Sequence, residues 1–309
     1  MSVVIPVLNE ETVLPELLRR VRVVLGRLAG GPHEIVIVDD GSTDGTPDIL
    51  RRESQDDDQL VGVVLSRNFG HQAALSAGLA HASGDAIIAM DGDLQDPPES
   101  IPLFIEKFDQ GFDVVYARRV QRKEVWWLRL CYYVFYRLIT ALSGIQLPLD
   151  AGDFGLMSRR VANQLLEMPE YHRYLRGMRT WIGFRQIGIP VERAERHAGE
   201  PKYSTLKLLR LASDGIFSFS IVPLRFAAIL GTVAISLSAV YALYSIYVKL
   251  VLGRSPQGFA AIIVAIIFLA GVQLFFMGII GEYVGRLYEA SKERPVYIVA
   301  ERFGRSRQA

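Results

Sequence analysis

Glu34-Ile35-Val36-Ile37-Val38-Asp39-Asp40-Gly41-Ser42-Thr43-Asp44-Gly45 joins four consecutive β-branched residues to a turn that holds three carboxylates. A short continuous run of this kind, closed by turn residues, reads as a parallel strand buried on both faces. Working outward, residues 2–7, 60–65 and 86–90 have the same form. Helical patterns separate them: residues 10–28 repeat leucine and valine at helical spacing, 46–53 follow the acidic turn, and 69–82 are rich in alanine. The order βαβαβαβ predicts a doubly wound α/β sheet, which binds its ligands at the carboxyl ends of the strands.

Those strand ends are where chemistry is expected. The first runs into Pro6-Val7-Leu8-Asn9-Glu10-Glu11, without the glycines that a dinucleotide or phosphate-cradling loop requires. Here Asn9 reads as a helix cap, with Glu10 and Glu11 at the positive end of the helix dipole. The second end packs Asp39, Asp40 and Asp44 into one turn. It is not a calcium loop of the EF-hand type, because the twelfth position counted from Asp40 is Arg51. Two readings stay open there: a capped strand-to-helix loop, or a site where Asp40 accepts an N–H from a nucleobase. The fourth end, Met90-Asp91-Gly92-Asp93-Leu94-Gln95-Asp96-Pro97-Pro98, sets two carboxylates either side of a glycine. That pattern suits a hard cation shared with substrate phosphates; an acidic turn without metal is the alternative.

Composition narrows the classes. A net charge of +1 over 309 residues gives no electrostatic case for nucleic acid. The single Cys131 forms no intrachain disulfide, and no Cys/His spacing suggests zinc. The first eight residues lack the basic leader of a secretion signal. Mean hydropathy is nevertheless positive, at +0.22, because no charged residue occurs in 226–248 or 255–281. A helix of about 23 residues rises about 35 Å, enough to cross a hydrocarbon core of roughly 30 Å. Lys249 and Arg254 lie between the two runs, whereas Arg286, Lys292, Arg294, Arg302, Arg305 and Arg307 follow them. The positive-inside rule then puts both termini in the cytosol of an integral membrane protein.

The expected organisation is a cytosolic domain over residues 1–204, an amphipathic helix over 205–222, two membrane helices within 223–281 (about 226–248 and 259–281), and a basic cytosolic tail over 282–309. Within the first, residues 123–143 mix aromatic and basic side chains and read either as an interfacial helix or as an amphipathic core helix. Gly152-Asp153-Phe154 places a carboxylate in an apolar stretch, where it needs a partner or a task. The arginines between 173 and 210 form a basic band before the membrane, suited to phosphate or anionic lipid.

Taken together, Ser2-Val-Val-Ile-Pro-Val-Leu-Asn-Glu-Glu11, the 34–46 stretch, Ser66-Arg-Asn-Phe-Gly70, Met90 to Pro98, Gly152-Asp-Phe154 and the hydrophobic pair resemble the family 2 polyprenyl-phosphate glycosyltransferases. That group includes dolichyl-phosphate mannose synthases and bacterial polyprenyl-phosphate glucosyltransferases. The resemblance implies a glycosyltransferase A-type, Rossmann-like fold. It implies nucleotide contacts at Pro6, Leu8, Glu10, Val38, Asp40 and Asp91, and Mg2+ or Mn2+ on Asp91, Asp93 and Gln95. Asp93 and Asp153 take the catalytic roles, while Arg196 and Lys202 match residues that contact the acceptor phosphate. The implied donor is a UDP-linked sugar, with glucose favoured. The implied acceptor is polyprenyl phosphate, and the family allows a homotetramer. A non-catalytic nucleotide-binding scaffold and a glycolipid-transport subunit are the rival functions.

Two departures from the family pattern stand out. Gly155 follows Gly-Asp-Phe where bacterial relatives commonly carry Arg, so that cation is missing or supplied by Arg159 or Arg160. Pro201 stands where a small polar residue is usual.

Overall fold

Alternation along buried strands decides which side of the sheet each residue serves. The computed structural model describes residues 1–119, 151–171, 173–192, 222–252 and 258–304. In β1 (Ser2–Val7) and β2 (Glu34–Asp39), Val3, Ile5, Val7, Ile35 and Ile37 enter one core cluster, while Val4, Val36 and Val38 enter the other. Side chains two apart share a face, so both faces need covering. Leu14, Leu17 and Val21 of α1 (Leu14–Leu25), Leu50 of α2 (Thr46–Asp56) and Phe104 of α4 (Ile101–Asp109) cover the first. The second is covered by Ala74 and Leu75 of α3 (His71–His81), Val161 and Leu165 of α5 (Arg159–Glu167), and Leu175 and Met178 of α6 (Leu175–Ile182).

The remaining strands are β3 (Leu60–Leu65), β4 (Ala86–Ala89), β5 (Val114–Arg119), β6 (Ala151–Ser158), β7 (Gln186–Val191) and β8 (Val299–Phe303). Their order is β7-β5-β6-β4-β1-β2-β3-β8. The four strands expected from sequence run parallel at its centre. β6 enters antiparallel between β4 and β5, with Ala89 opposite Gly155. Because β6 runs backwards, its first residues lie beside the carboxyl end of β4.

Helix α1 starts four residues later than its hydrophobic spacing suggests. Asn9 has φ 54°, the backbone turns through Glu10–Val13 by carbonyl bonds from Glu10, and Pro15 occupies the first turn of the helix. Asn9 is therefore not its cap, a position held by Val13 without a side-chain hydrogen bond.

Two long helices take up the uncharged runs: α7 (Val222–Leu252) exceeds 226–248 at both ends, whereas α8 (Phe259–Ser291) starts inside 255–281 and runs beyond its end. Their apolar windows, of mean hydropathy 2.0, contain no buried residue. At 31 and 33 residues they rise roughly 46 and 50 Å, more than the hydrocarbon core requires. The chain then returns to the sheet. β8, within the stretch expected to be a tail, pairs antiparallel with β3 from Gly62↔Phe303 to Leu65↔Val299. Arg51 holds Glu301 at 3.0 Å and lies over the Phe303 ring at 5.1 Å. The expected helix at 123–143, the expected helix at 205–222 except for Val222, which opens α7, and residues Arg196 and Lys202 lie outside the described residues.

Candidate active site

Three loops at the carboxyl ends of β1, β2 and β4 meet. The first two are laced together by groups that the sequence offers as caps and acids. Asn9 accepts the Thr43 N–H at 2.8 Å and its own N–H donates to the Ser42 hydroxyl at 2.8 Å. Glu11 accepts the Gly45 N–H at 2.7 Å, at the start of α2, and Thr46 Oγ1 accepts the Glu10 N–H at 3.0 Å. The acidic turn is equally committed. Asp39, fully buried, accepts both the N–H and the hydroxyl of Ser42. Asp44 accepts the N–H groups of Thr46 and Glu11 at 3.1 and 3.2 Å. Asp40 accepts the N–H of Phe69 at 2.8 Å and of Gly70 at 3.0 Å, fixing the chain just where α3 begins. Burial raises the Asp40 pKa, and these two N–H bonds only partly offset it.

After β4 the chain crosses the end of β1 at very short range. A Cβ on Gly92 would meet Val7 Cγ1 at 2.8 Å and the Pro6 carbonyl at 3.0 Å, so Asp91 and Asp93 are carried on backbone packed directly against the first strand end. Leu94 has φ 58° and is buried, and Asp93 Oδ1 accepts the Gln95 N–H at 3.1 Å. Among the described residues no three His, Cys, Asp or Glu side chains form a ready metal site. The donors here are two carboxylates and the Gln95 amide, a hard-oxygen set of the kind that binds Mg2+ or Mn2+ jointly with substrate phosphates.

Asp153 comes to the same place from β6. With Ala89 opposite Gly155, the antiparallel register brings Asp153 level with Asp91. Its neighbour Phe154 turns to the other face and packs edge-on against Phe104, ring centroids 4.7 Å apart. Asp153 therefore faces α3 and α6, which supply its surroundings. His71 Nε2 lies 3.5 Å from Asp91 Oδ1 and 3.8 Å from Asp153 Oδ2, between the two carboxylates. Gln72 reaches Asp153 Oδ2 with its amide at 3.5 Å and accepts the Leu175 N–H at 2.9 Å. Arg176 meets Asp153 side-on, at 3.2 Å from Nη2 and 3.3 Å from Nε. One turn further, Arg179 is buried, donates to the Gly152 carbonyl at 3.5 Å and lies over the Tyr116 ring.

Burial opposes charge on Asp153, but Arg176 and His71 outweigh it and hold the carboxyl well below the usual range. Burial likewise opposes charge on His71, and the two aspartates reverse the effect, raising its pKa. For Arg179 burial outweighs the attraction of Asp153 and lowers the pKa to about 10.

The structure thus brings Pro6, Leu8, Glu10, Val38, Asp40, Asp91, Asp93 and Gln95 to one sheet end and sets Asp153 beside them. Neither Arg159 nor Arg160 supplies a cation to this place. Arg159 donates to the carbonyls of Ala82 and Gly84, and Arg160 pairs with Asp113, all at the opposite end of β6. Position 155 itself has no room, since a Cβ there would lie 2.5 Å from the Val115 carbonyl. Arg176 meets Asp153 from α6 instead. His71 and Gln72 were not singled out because they open a helix whose alanine content reads as core. The available signal was a polar pair directly after Gly70 at a strand-end loop.

Residues 2–166 match the family model described as Glycosyl transferase family 2, and residues 222–287 match the GtrB C-terminal hairpin. A Synechocystis protein named uncharacterized glycosyltransferase sll0501 is 43% identical, covering 98% of this chain and 96% of its own. The bactoprenol glucosyl transferase of Shigella phage SfV is 40% identical, over 96% of this chain and 97% of its own. Among solved structures, a glucosyl-3-phosphoglycerate synthase from Mycobacterium tuberculosis is 22% identical over 70% of this chain and 77% of that one, with a TM-score of 0.47. A sheet built this way, ending in such a hairpin and matched over half its length, belongs to glycosyl transferase family 2, and the chain is a glycosyltransferase.

Proposed function

We propose that this glycosyltransferase moves glucose from UDP-glucose to the phosphate of a polyprenol such as undecaprenol, inverting the anomeric carbon, at the cytosolic face of the membrane. The observation that carries the reading is His71, which stands between Asp91 on the nucleotide side and Asp153 on the other. Donor and acceptor elements are thereby within one side chain of each other. The relatives named for bactoprenol glucosyl transfer support the choice of sugar and lipid, and the hairpin supports the membrane setting.

In this reading Asp40 and Glu10 hold base and ribose, with Pro6, Leu8 and Val38 lining the nucleotide. Asp91, Asp93 and Gln95 hold Mg2+ or Mn2+, which when bound stabilises the negative charge of the departing diphosphate. A phosphate monoester has its second pKa near ~6, so the acceptor oxygen is largely ionised at neutral pH and needs little base assistance. Asp153 agrees with that: a carboxylate held by Arg176 in its charged form is a weak base, and its task is to orient the acceptor and face the positive charge that develops on the sugar. The basic band continuing to Arg196 and Lys202 receives the lipid phosphate at headgroup level. Both termini are cytosolic, and four copies assemble as a homotetramer.

Purified full-length protein is incubated with undecaprenyl phosphate, Mn2+ or Mg2+, and a panel of labelled nucleotide sugars. Glucolipid from UDP-glucose is expected. No glycolipid from any donor sinks the reaction; product from a different sugar corrects the donor alone.

A further inference from the structure

We infer that Arg176 also receives the phosphate of the acceptor, exchanging its partner from the Asp153 carboxylate to that phosphate. The inference rests on the reaction proposed above and adds a residue to its acceptor side.

Comparison of the arginines of α5, α6 and the segment between them leads there. Arg173 is spent on the end of α5, donating to the carbonyls of Leu165, Leu166 and Met168. Arg179 is 4% exposed and lies behind β6 on Gly152 and Tyr116. Arg159 and Arg160 serve the far end of the sheet, and Gly155 leaves β6 no side chain of its own at this level. Arg176 differs from all of these. Its side chain is 22% exposed, its guanidinium meets the Asp153 carboxylate side-on, and Gln72 ties the first residue of its helix to α3.

Guanidinium recognises carboxylate and phosphate with the same side-on fork, so an incoming phosphate competes for Arg176 on equal geometric terms. Asp153 then loses its counter-charge as the acceptor arrives. The His71 imidazole, with Nε2 at 3.8 Å, remains beside it. The exchange places the nucleophilic phosphate beside Asp153 and directs it at the sugar.

The test measures binding to the full chain in detergent with two probes, farnesyl phosphate and uncharged farnesol. Arg176→Gln is expected to weaken farnesyl phosphate about tenfold or more while leaving farnesol and UDP-glucose unchanged. Arg176→Lys, which keeps the charge but loses the fork, is expected to fall between. A double-mutant cycle separates contact from positioning: on an Asp153→Asn background Arg176→Gln still weakens farnesyl phosphate. Equal binding of the phosphate by parent and Arg176→Gln overturns the inference. So does an effect that vanishes on the Asp153→Asn background, which makes Arg176 a positioning residue, or one seen with UDP-glucose instead, which moves it to the donor. Should Arg176→Gln not fold, Arg176→Lys and its cycle carry the same outcomes. A parent that binds farnesyl phosphate through Arg176 yet makes no glycolipid sinks the proposed reaction and leaves the phosphate site standing.

Discussion

Two acidic turns lie side by side at the carboxyl end of the sheet, and they do opposite work. In the turn after β2, Asp39, Asp40 and Asp44 are each engaged by backbone N–H groups, from Ser42, from Phe69 and Gly70, and from Thr46 and Glu11. In the turn after β4, Asp91 instead faces the imidazole of His71 and, across it, Asp153. The first turn spends its charge on holding loops, while in the proposed reaction the second holds the metal. Carboxylate count is thus a poor guide to a site. What separates the two turns is the kind of partner: backbone N–H groups of neighbouring loops hold the first, whereas the His71 side chain lies between Asp91 of the second and Asp153.

The sharpest break of this comparison is Asp93→Ala, expected to lower kcat by two orders of magnitude or more with the thermal midpoint little changed; a protein as active as the parent removes the metal role. Asp40→Ala ranks next because it belongs to both classes. It leaves the buried-side N–H groups of Phe69 and Gly70 unsatisfied, at about 1–3 kcal/mol each, and it weakens UDP binding as well, read by denaturant titration and calorimetry. Asp39→Ala sharpens the contrast from the other side: a loss of about 1–3 kcal/mol in stability, with kcat per folded molecule within about twofold of the parent, since surface-independent scaffold changes act on folding alone. A tenfold loss of kcat there would place the first turn in the chemistry.

The smallest effect concerns pH. The folded pKa of Asp153 is depressed below its usual 3.8, so the stabilisation from its ion pair is fully present above that value and is lost only as pH falls through the folded one. Asp153 therefore contributes no acid limb to the rate near neutrality. The limb expected near ~6 belongs to the acceptor phosphate, and it persists at the same pH in Asp153→Asn at a lower rate. Disappearance of the limb in that variant would assign it to the carboxylate.

The parallel half of the fold was legible because strands buried on both faces are continuous apolar runs, so β1 to β4 announce themselves with nearly their true bounds. β6 and β8 are not of that kind. β6 carries Gly152, Asp153 and Gly155 for close packing and chemistry, and β8, Val299–Phe303, is an edge strand with exposed Ala300, Glu301 and Arg302 at its centre. Its composition reads as a basic tail because an edge strand buries little. In the site, the acids were legible as types and positions, but their division of labour was not, since it depends on which backbone N–H groups come from loops thirty residues away. Arg176 was visible only as one of many arginines. Nothing in spacing distinguishes the arginine that caps α5 from the one that grips Asp153.

The pairing of β8 with β3 makes the molecule a closed loop: the sheet's last strand is delivered by the far end of the hairpin. A soluble fragment cut before α7 would lose that strand and bare the β3 edge from Gly62 to Leu65, a ready template for pairing between copies. Removing the hairpin to obtain a tractable enzyme thus creates an adhesive surface unrelated to the lipid, and a peptide spanning residues 297–304 is the complement that would quiet it.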